Sequence, residues 1–445
     1  MTIHAVKIME DTYMTFERDN NCESGVVIRV IGVGGGGNNA VNRMIAANIR
    51  GVEFVTVNTD RQALRKSEAP VQMVIGEKIT KGFGAGANPE VGTRAAEESI
   101  DDIKKMLSGA DMVFVTAGMG GGTGTGAAPV VARVSKELGI LTVGIVTLPF
   151  LFEGLPKIKK ALSYIEEMRK HVDALLVINN ERLREIYPTL TFMNAFSMAD
   201  DILATAAGSI IEIIIREGYV NCDFRDVRTT LLDGGTAIIS TGYGEGENRV
   251  TSAIEDAIRS PLLKNADVYT SRNLLIVVYL SPDEDKQMTL AESDELTAFT
   301  SKFVNAPDII TGIYFDDEIG DKMKITILAS GFEATDTITI PAPAPAKADK
   351  KSEPIKPVEV DSSAVEQIYG QDAVRDVARK SLQMQIAILT REQMDSDATL
   401  ELFDSEPTYN RSSDFKQRLA VAGTVRTHEP NTSTESSAKT INFGD

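Results

Sequence analysis

The sequence has no tryptophan, only two cysteines (Cys22 and Cys222) and three histidines (His4, His171 and His428). Two cysteines cannot make a disulfide framework, and the expected compartment is a reducing cytoplasm. The histidines are scattered and form no cluster with the cysteines, so no structural metal site is expected. A basic surplus is missing too: 64 acids stand against 46 lysines and arginines, a net charge of −18. Such a chain is repelled by nucleic-acid backbones and anionic lipid, so membrane contact would need a partner. No run is long and apolar enough to span a bilayer. Met1 to Ser24 lacks a basic stretch followed by an apolar one, and reads as a flexible arm rather than a signal peptide.

What is present is a series of short apolar runs: Val26 to Gly34, Phe54 to Asn58, Val71 to Ile75, Met112 to Ala117, Leu141 to Leu148 and Ala174 to Asn179. Nearly continuous Val/Ile/Leu runs fit strands buried on both faces of a parallel sheet. Helical patterns such as Asn38 to Asn48 and Val91 to Leu107 lie between them, which implies a doubly wound α/β layer. Ala195 to Arg216 is apolar on almost every face and reads as a buried helix. Strand patterns at Thr236 to Tyr243, Leu274 to Leu280, Ile309 to Phe315 and Met323 to Leu328, with helices at Val250 to Leu262 and Glu292 to Val304, form a smaller α+β domain. From about Thr335 the Pro/Ala/Lys-rich segment cannot bury a core and reads as an extended linker. Helix-forming stretches recur in Val365 to Met394, and a polar end follows.

Two glycine runs follow strand patterns and open helices. The first, Gly32 to Gly37, fits GxGxxG in the right context, and Asp60 closes the next strand where a dinucleotide fold places its ribose-binding acid. Taken alone it supports an NAD-binding oxidoreductase. The second, Gly118 to Gly126 (GMGGGTGTG), is an anion nest at a helix N-terminus, with Thr123 and Thr125 hydroxyls as further donors. A dinucleotide fold needs one phosphate loop, and this chain has two on neighbouring strand ends.

At these residues the chain resembles the tubulin/FtsZ family, in the form of its FtsZ branch. GGGTGTG from Gly120, IGVGGGGNNAV from Ile31, VNTD from Val57, TKGFGAGANPEVG from Thr80, LPFLFEG from Leu148 and NCDFRDV from Asn221 carry the resemblance in order, over roughly Val27 to Phe332. It implies a tubulin/FtsZ-type doubly wound GTPase domain joined by a long central helix to a smaller α+β domain, with a disordered C-terminal tail. The corresponding division is a flexible N-terminal arm (1–25), a GTP-binding domain (26–194), the central helix (195–218), a C-terminal α+β domain with the catalytic loop (219–334), a linker (335–400) and a tail (401–445). The resemblance also implies GTP and GDP as ligands, with Mg²⁺ held through the phosphates. Gly35, Gly36, Gly37, Asn38 and Asn39 would contact phosphates, Gly82 to Asn88 would cover the γ-phosphate, and Gly122, Thr123 and Gly124 would cradle the α and β phosphates. Glu153 would bond the ribose, Lys157 would stand where many relatives have arginine, Phe196 would stack on the base and Asp200 would read the guanine edge.

In NCDFRDV, Asn221, Asp223 and Asp226 follow the buried helix. From the residues alone, the two acids could cap a helix. The resemblance instead implies that this loop enters the nucleotide site of the next subunit and orients water, so that hydrolysis depends on polymerisation. Cys222 reads as a small buried filler, and Arg225 as an interface or solvated charge. Implied with these are head-to-tail protofilaments and a contractile Z ring at the division site beneath the inner membrane. Asp404 to Arg411 loosely resembles the family's C-terminal peptide, which would dock on a membrane-tethering division protein such as FtsA. A nucleotide-bound filament without turnover is the non-catalytic alternative.

Overall fold

The computed structural model describes residues 25–259, 268–303, 305–306, 309–332, 355, 357, 362–383, 388–389 and 439–440. Residues 1–368 form one compact unit and 369–445 a second. The first is organised by a ten-stranded sheet. Its strands are β1 (Ile28–Val33), β2 (Glu53–Asn58), β3 (Val71–Val74), β4 (Met112–Gly118), β5 (Leu141–Leu148), β6 (Ala174–Asn179), β7 (Gly235–Gly244), β8 (Asn273–Leu280), β9 (Ile309–Phe315) and β10 (Met323–Ser330), in the order β3-β2-β1-β4-β5-β6-β7-β10-β8-β9. The first six are parallel. All of β1 and β5 is buried, as expected of strands covered by helices on both faces.

β7 joins β6 by only two residue pairs, Ala174 with Gly235 and Leu175 with Thr236. Beyond it, β7–β10 and β10–β8 are antiparallel and β8–β9 parallel. β8 shows period-2 sorting clearly. Leu275, Val277 and Tyr279 join the cluster that holds the central helix, while Leu274, Ile276, Val278 and Leu280 join a second cluster with helix Arg249–Ile258.

The central helix runs Phe192–Ile215, starting three residues before the apolar pattern suggests because Thr191 caps it by accepting from Asn194 N–H at 3.4 Å. The predicted helix Val91 to Leu107 is two helices, Pro89–Glu98 and Ile100–Leu107. They break at Ser99, whose hydroxyl accepts from Gly76 N–H at 3.0 Å, a bond to a residue 23 positions earlier.

Most of the expected linker and tail, with Asp404 to Arg411, lies outside the described residues, as does the arm before Gly25. Helix Ser362–Tyr369 falls within the linker; Ala364, Val365, Ile368 and Tyr369 are buried. In the second unit, helix Gln371–Gln383 is described, and Ile388–Leu389 pairs antiparallel with Lys439–Thr440.

One helix pair sets the position of the second glycine run. Helix Pro89–Glu98 packs on helix Thr123–Glu137 so closely that a Cβ on Gly126 would lie 1.9 Å from Pro89 O and 2.7 Å from Thr93 N. Both neighbours are backbone atoms and cannot rotate away. Gly126→Ala is therefore expected to destabilise the fold by about 2–3 kcal/mol, the scale of overpacking, read as a lowered midpoint in thermal or denaturant unfolding.

Candidate functional site

The strand order places the topological switch between β1 and β4: the chain moves outward from β1 to β2 and β3, then returns to β4, β5 and β6. Open α/β sheets bind ligands there, outside the carboxyl ends of the strands. Both glycine runs stand at that point. They are the first turns of helices rather than free loops: Gly34–Gly37 opens helix Gly34–Ala46, and Thr123–Gly126 opens helix Thr123–Glu137. First-turn N–H groups have no intrahelical partner and carry the positive end of the helix dipole.

The two helix starts touch each other. A Cβ on Gly34 would lie 2.5 Å from Gly124 N, one on Gly36 would lie 3.0 Å from Gly118 Cα, and one on Gly37 would lie 2.4 Å from Thr116 O. A Cβ on Gly35 or Gly121 would meet no neighbouring atom within 4 Å among the described residues. Most glycines here permit backbone-to-backbone packing, and these two leave open space. Two positive helix ends converge beside it, which suits a polyphosphate. Gly122 is roofed by the segment 82–88, since its Cβ would meet Ala85 Cβ at 2.9 Å and Asn88 N at 3.1 Å.

The hydroxyls that sequence reasoning assigned to phosphate are turned inward. Thr125 Oγ1 accepts from Gly120 N–H at 2.8 Å, and Thr123 Oγ1 bonds Thr59 Oγ1 at 2.6 Å. The Asn38 side chain is buried, and with its amide oriented so that the nitrogen faces these carbonyls it donates to Gly32 O at 3.0 Å and Gly34 O at 2.9 Å, tying its own turn. Asp60, the ribose acid of the dinucleotide reading, accepts from Gln62 N–H (2.8 Å) and Ala63 N–H (3.2 Å) and caps helix Arg61–Leu64.

The remaining candidates surround the same opening. Lys157 lies across Gly120, whose Cβ would come within 2.7 Å of Lys157 Cγ, and its ammonium pairs with Glu153. Glu153 also accepts from Phe150 N–H at 2.8 Å. A carboxylate has about four acceptor sites, so Glu153 keeps capacity for a sugar hydroxyl. Phe196 sits in a phenylalanine cluster, 5.3 Å from Phe150 and 5.1 Å from Phe192 between ring centroids. One turn on, Asp200 is hydrogen-bonded by Asn39. Burial pushes the Asp200 carboxyl up to about 7, and Asp201 pushes the same way, against the Asn39 bond and the Arg43 charge.

Asn221, Asp223 and Asp226 are not part of this cluster. They follow the far end of the central helix. Asp200 and Ile215 alone are fifteen positions apart on it, about 22 Å at the helical rise. Asp223 Oδ1 accepts from Arg225 N–H (2.7 Å) and Asp226 N–H (3.1 Å), and Asp226 Oδ2 accepts from Asp223 N–H at 2.9 Å. The capping alternative is thus real geometry: the two acids form a reciprocal capping box on helix Phe224–Leu231. Asn221 Oδ1 accepts from Gly218 N–H. Cys222 is buried, and burial, then Asp226 and Asp223, push its thiol up to about 12. It stays neutral at physiological pH and is no nucleophile. Among the described residues no group of three or more His, Cys, Asp or Glu is placed to hold a metal.

A doubly wound sheet with two helix N-termini converging at its switch point defines a nucleotide-phosphate-binding α/β protein. Residues 27–188 match the Tubulin/FtsZ family, GTPase domain, and residues 235–333 match the FtsZ family, C-terminal domain. The cell division protein FtsZ of Porphyromonas gingivalis is 46% identical, over 92% of this chain and 91% of that protein. That of Coxiella burnetii is 44% identical over 71% and 81%. Among solved structures, the FtsZ dimer of M. jannaschii is 40% identical with a TM-score of 0.63, covering 69% of this chain and 89% of that one. The chain belongs to the tubulin/FtsZ family, on its FtsZ branch. It is a cell-division GTPase, with GTP and GDP as its nucleotides and Mg²⁺ accompanying their phosphates.

The Asp200 carboxyl has a testable consequence. Its folded value, about 7, lies above the ordinary 3.8. The stability it allows the nucleotide-free protein is therefore full below about pH 4 and is lost as pH rises through about 7. Asp200→Asn is expected to flatten this part of the stability–pH curve, measured by chemical denaturation between pH 4 and 8. A slope that persists in the variant would assign it to another group.

Proposed function

We propose that the cavity between the two glycine helix starts holds the phosphates of GTP, and that the acid loop of a neighbouring subunit completes the hydrolytic site. The observation that carries this reading is the separation along the central helix: the glycine cluster with Asp200 lies at one end, and Asn221, Asp223 and Asp226 follow the other. One chain cannot bring them to a single reacting phosphate, but head-to-tail stacking can.

In this reading Gly35, Gly36, Gly37, Gly122, Thr123 and Gly124 present backbone N–H groups to the phosphates, and segment 82–88 closes over the terminal one. Asn38 and the inward threonine hydroxyls hold the turns in shape. Glu153 takes the ribose, and Lys157 brings a point charge toward Gly120. Phe196 stacks on the base. Asn39 hands Asp200 over to the guanine N1–H and exocyclic amine, a pair of donors that adenine lacks. The neighbour's Asp223 and Asp226 polarise the attacking water, and Asn221 positions it. Positioning and charge stabilisation supply most of phosphoryl-transfer catalysis.

Exposed apolar side chains mark both ends: Phe83 (85% exposed) beside the nucleotide side, and Tyr219 (77%) on the acid-loop side. In this reading each is a contact point for a neighbouring subunit. A heterologous contact that does not close on itself makes a filament. The M. jannaschii relative is described as a dimer. CetZ2 of Haloferax volcanii, 19% identical with a TM-score of 0.60, shares the fold and is described as a GTPγS-bound protofilament. We extend this to head-to-tail protofilaments forming a Z ring at midcell on the cytoplasmic side of the inner membrane. The C-terminal tail would reach a membrane-tethering division protein such as FtsA. No helix among the described residues is long and apolar enough to cross a membrane, which fits attachment through a partner.

GTP turnover per subunit is expected to rise with protein concentration and then level off; a rate that stays flat down to high dilution sinks the shared site. Asp226→Ala would remove the cap as well as the charge. Asp226→Asn keeps an acceptor for Asp223 N–H, and is expected to lower turnover about a hundredfold, the scale of a lost acid–base group, with GDP binding to monomer unchanged.

A further inference from the structure

The acid loop is strapped to the sheet by the C-terminal half of the chain. Val220 N–H donates to Ile313 O at 3.2 Å, and Ile313 N–H donates to Val220 O at 3.0 Å. This short antiparallel bridge adds the loop to β9, the edge strand. The Arg216 guanidinium donates to Phe315 O at 2.7 Å. The approach is close: a Cβ on Gly312 would lie 2.6 Å from Cys222 Sγ, and one on Gly218 would lie 2.7 Å from Ile313 O.

One side chain ties these parts together. Tyr314 is fully buried, and its hydroxyl donates to Ile213 O at 2.9 Å, in the last turn of the central helix. The same oxygen accepts from Cys222 N–H at 3.1 Å. A tyrosine hydroxyl has one donor and acceptor capacity besides, so both bonds can be held at once. Cys222 immediately precedes Asp223, the residue that opens the capping box. A single hydroxyl thus links β9, the end of the central helix and the backbone from which the acids project. Tyr279 supplies a contrast. Its ring lies 5.5 Å from that of Tyr314 and is equally buried, yet its hydroxyl has no hydrogen-bond partner among the described residues.

We propose that Tyr314 is a positioning residue for hydrolysis: its hydroxyl fixes the direction in which Asp223 and Asp226 are offered to the next subunit. It touches no nucleotide and acts only through the Cys222 backbone. The inference rests on the shared-site reading above. Removing the hydroxyl leaves the Cys222 N–H and Ile213 carbonyl short of a buried partner, and the loop relaxes away from its working direction.

The test is Tyr314→Phe in the full chain, with Tyr279→Phe and Asp226→Asn alongside. Tyr314→Phe is expected to lower kcat about tenfold, within the range that small misplacements of catalytic groups produce. GDP binding to monomer, whose determinants lie at the other end of the helix, stays unchanged. Tyr279→Phe keeps wild-type turnover. Mixing Tyr314→Phe subunits with Asp200→Ala subunits, which carry an intact acid loop but an impaired pocket, restores turnover in the pockets of the former. A wild-type kcat in Tyr314→Phe overturns the proposal. So does a loss that mixing fails to restore while the loss in Asp226→Asn is restored. Full turnover in Asp226→Asn alone would instead remove the shared site, and this inference with it.

Discussion

Two helices begin so close together that neither can carry a side chain where they meet. A Cβ on Gly34 would sit 2.5 Å from Gly124 N, inside any allowed contact. The meeting exists because β1 and β4 are neighbours at the point where the chain reverses direction across the sheet. Each strand delivers its helix to the same edge, so two positive helix ends share one anion site. Like ends repel, and a polyphosphate between them relieves that repulsion. The glycines are thus a packing requirement first, with open space beside that packing at Gly35 and Gly121.

The second constraint is the central helix. Its apolar surface is used by both halves of the sheet: Leu203, Ala207, Ile210 and Ile211 share a cluster with Val143 and Ile145 on one side and Val277 and Tyr279 on the other. A helix so enclosed is a rigid spacer of fixed length. Whatever binds at one end is held at a set distance from the loop at the other. A filament built from such units repeats that distance, so a site shared between subunits is regular by construction.

The sheet was largely legible in the sequence because parallel buried strands are written as unbroken apolar runs, and β1, β2, β4, β5 and β6 were all visible in this way. Glycine clusters after two of them located the site. Less legible was which way polar side chains turn. Thr123 and Thr125 read as ligand donors, yet their hydroxyls bond Thr59 and Gly120. Asp60 fits a ribose-binding pattern, and it caps a helix. Sequence spacing fixes which residues are near a turn, while side-chain direction depends on neighbours brought in by the fold. Tyr314 had no signal at all. Its partner Cys222 is 92 residues away, and an isolated tyrosine in a strand pattern looks like any other core residue.

The acids show why capping and catalysis need not be rival readings. Asp223 uses Oδ1 to cap its helix, and Asp226 uses Oδ2 to bond back to Asp223 N–H. Each carboxylate is planar, so fixing one oxygen fixes the direction of the other. In the shared site proposed above, a pair of acids held this way would lose little freedom when a neighbour's phosphate and a water arrived, which is what preorganised stabilisation requires. The same geometry explains the placement of the acids at a helix start rather than in a free loop. In a flexible segment two carboxylates would swing apart to reduce their repulsion. The box holds them three residues apart against it, and the strap to β9 carries that fixed pair to the end of the subunit.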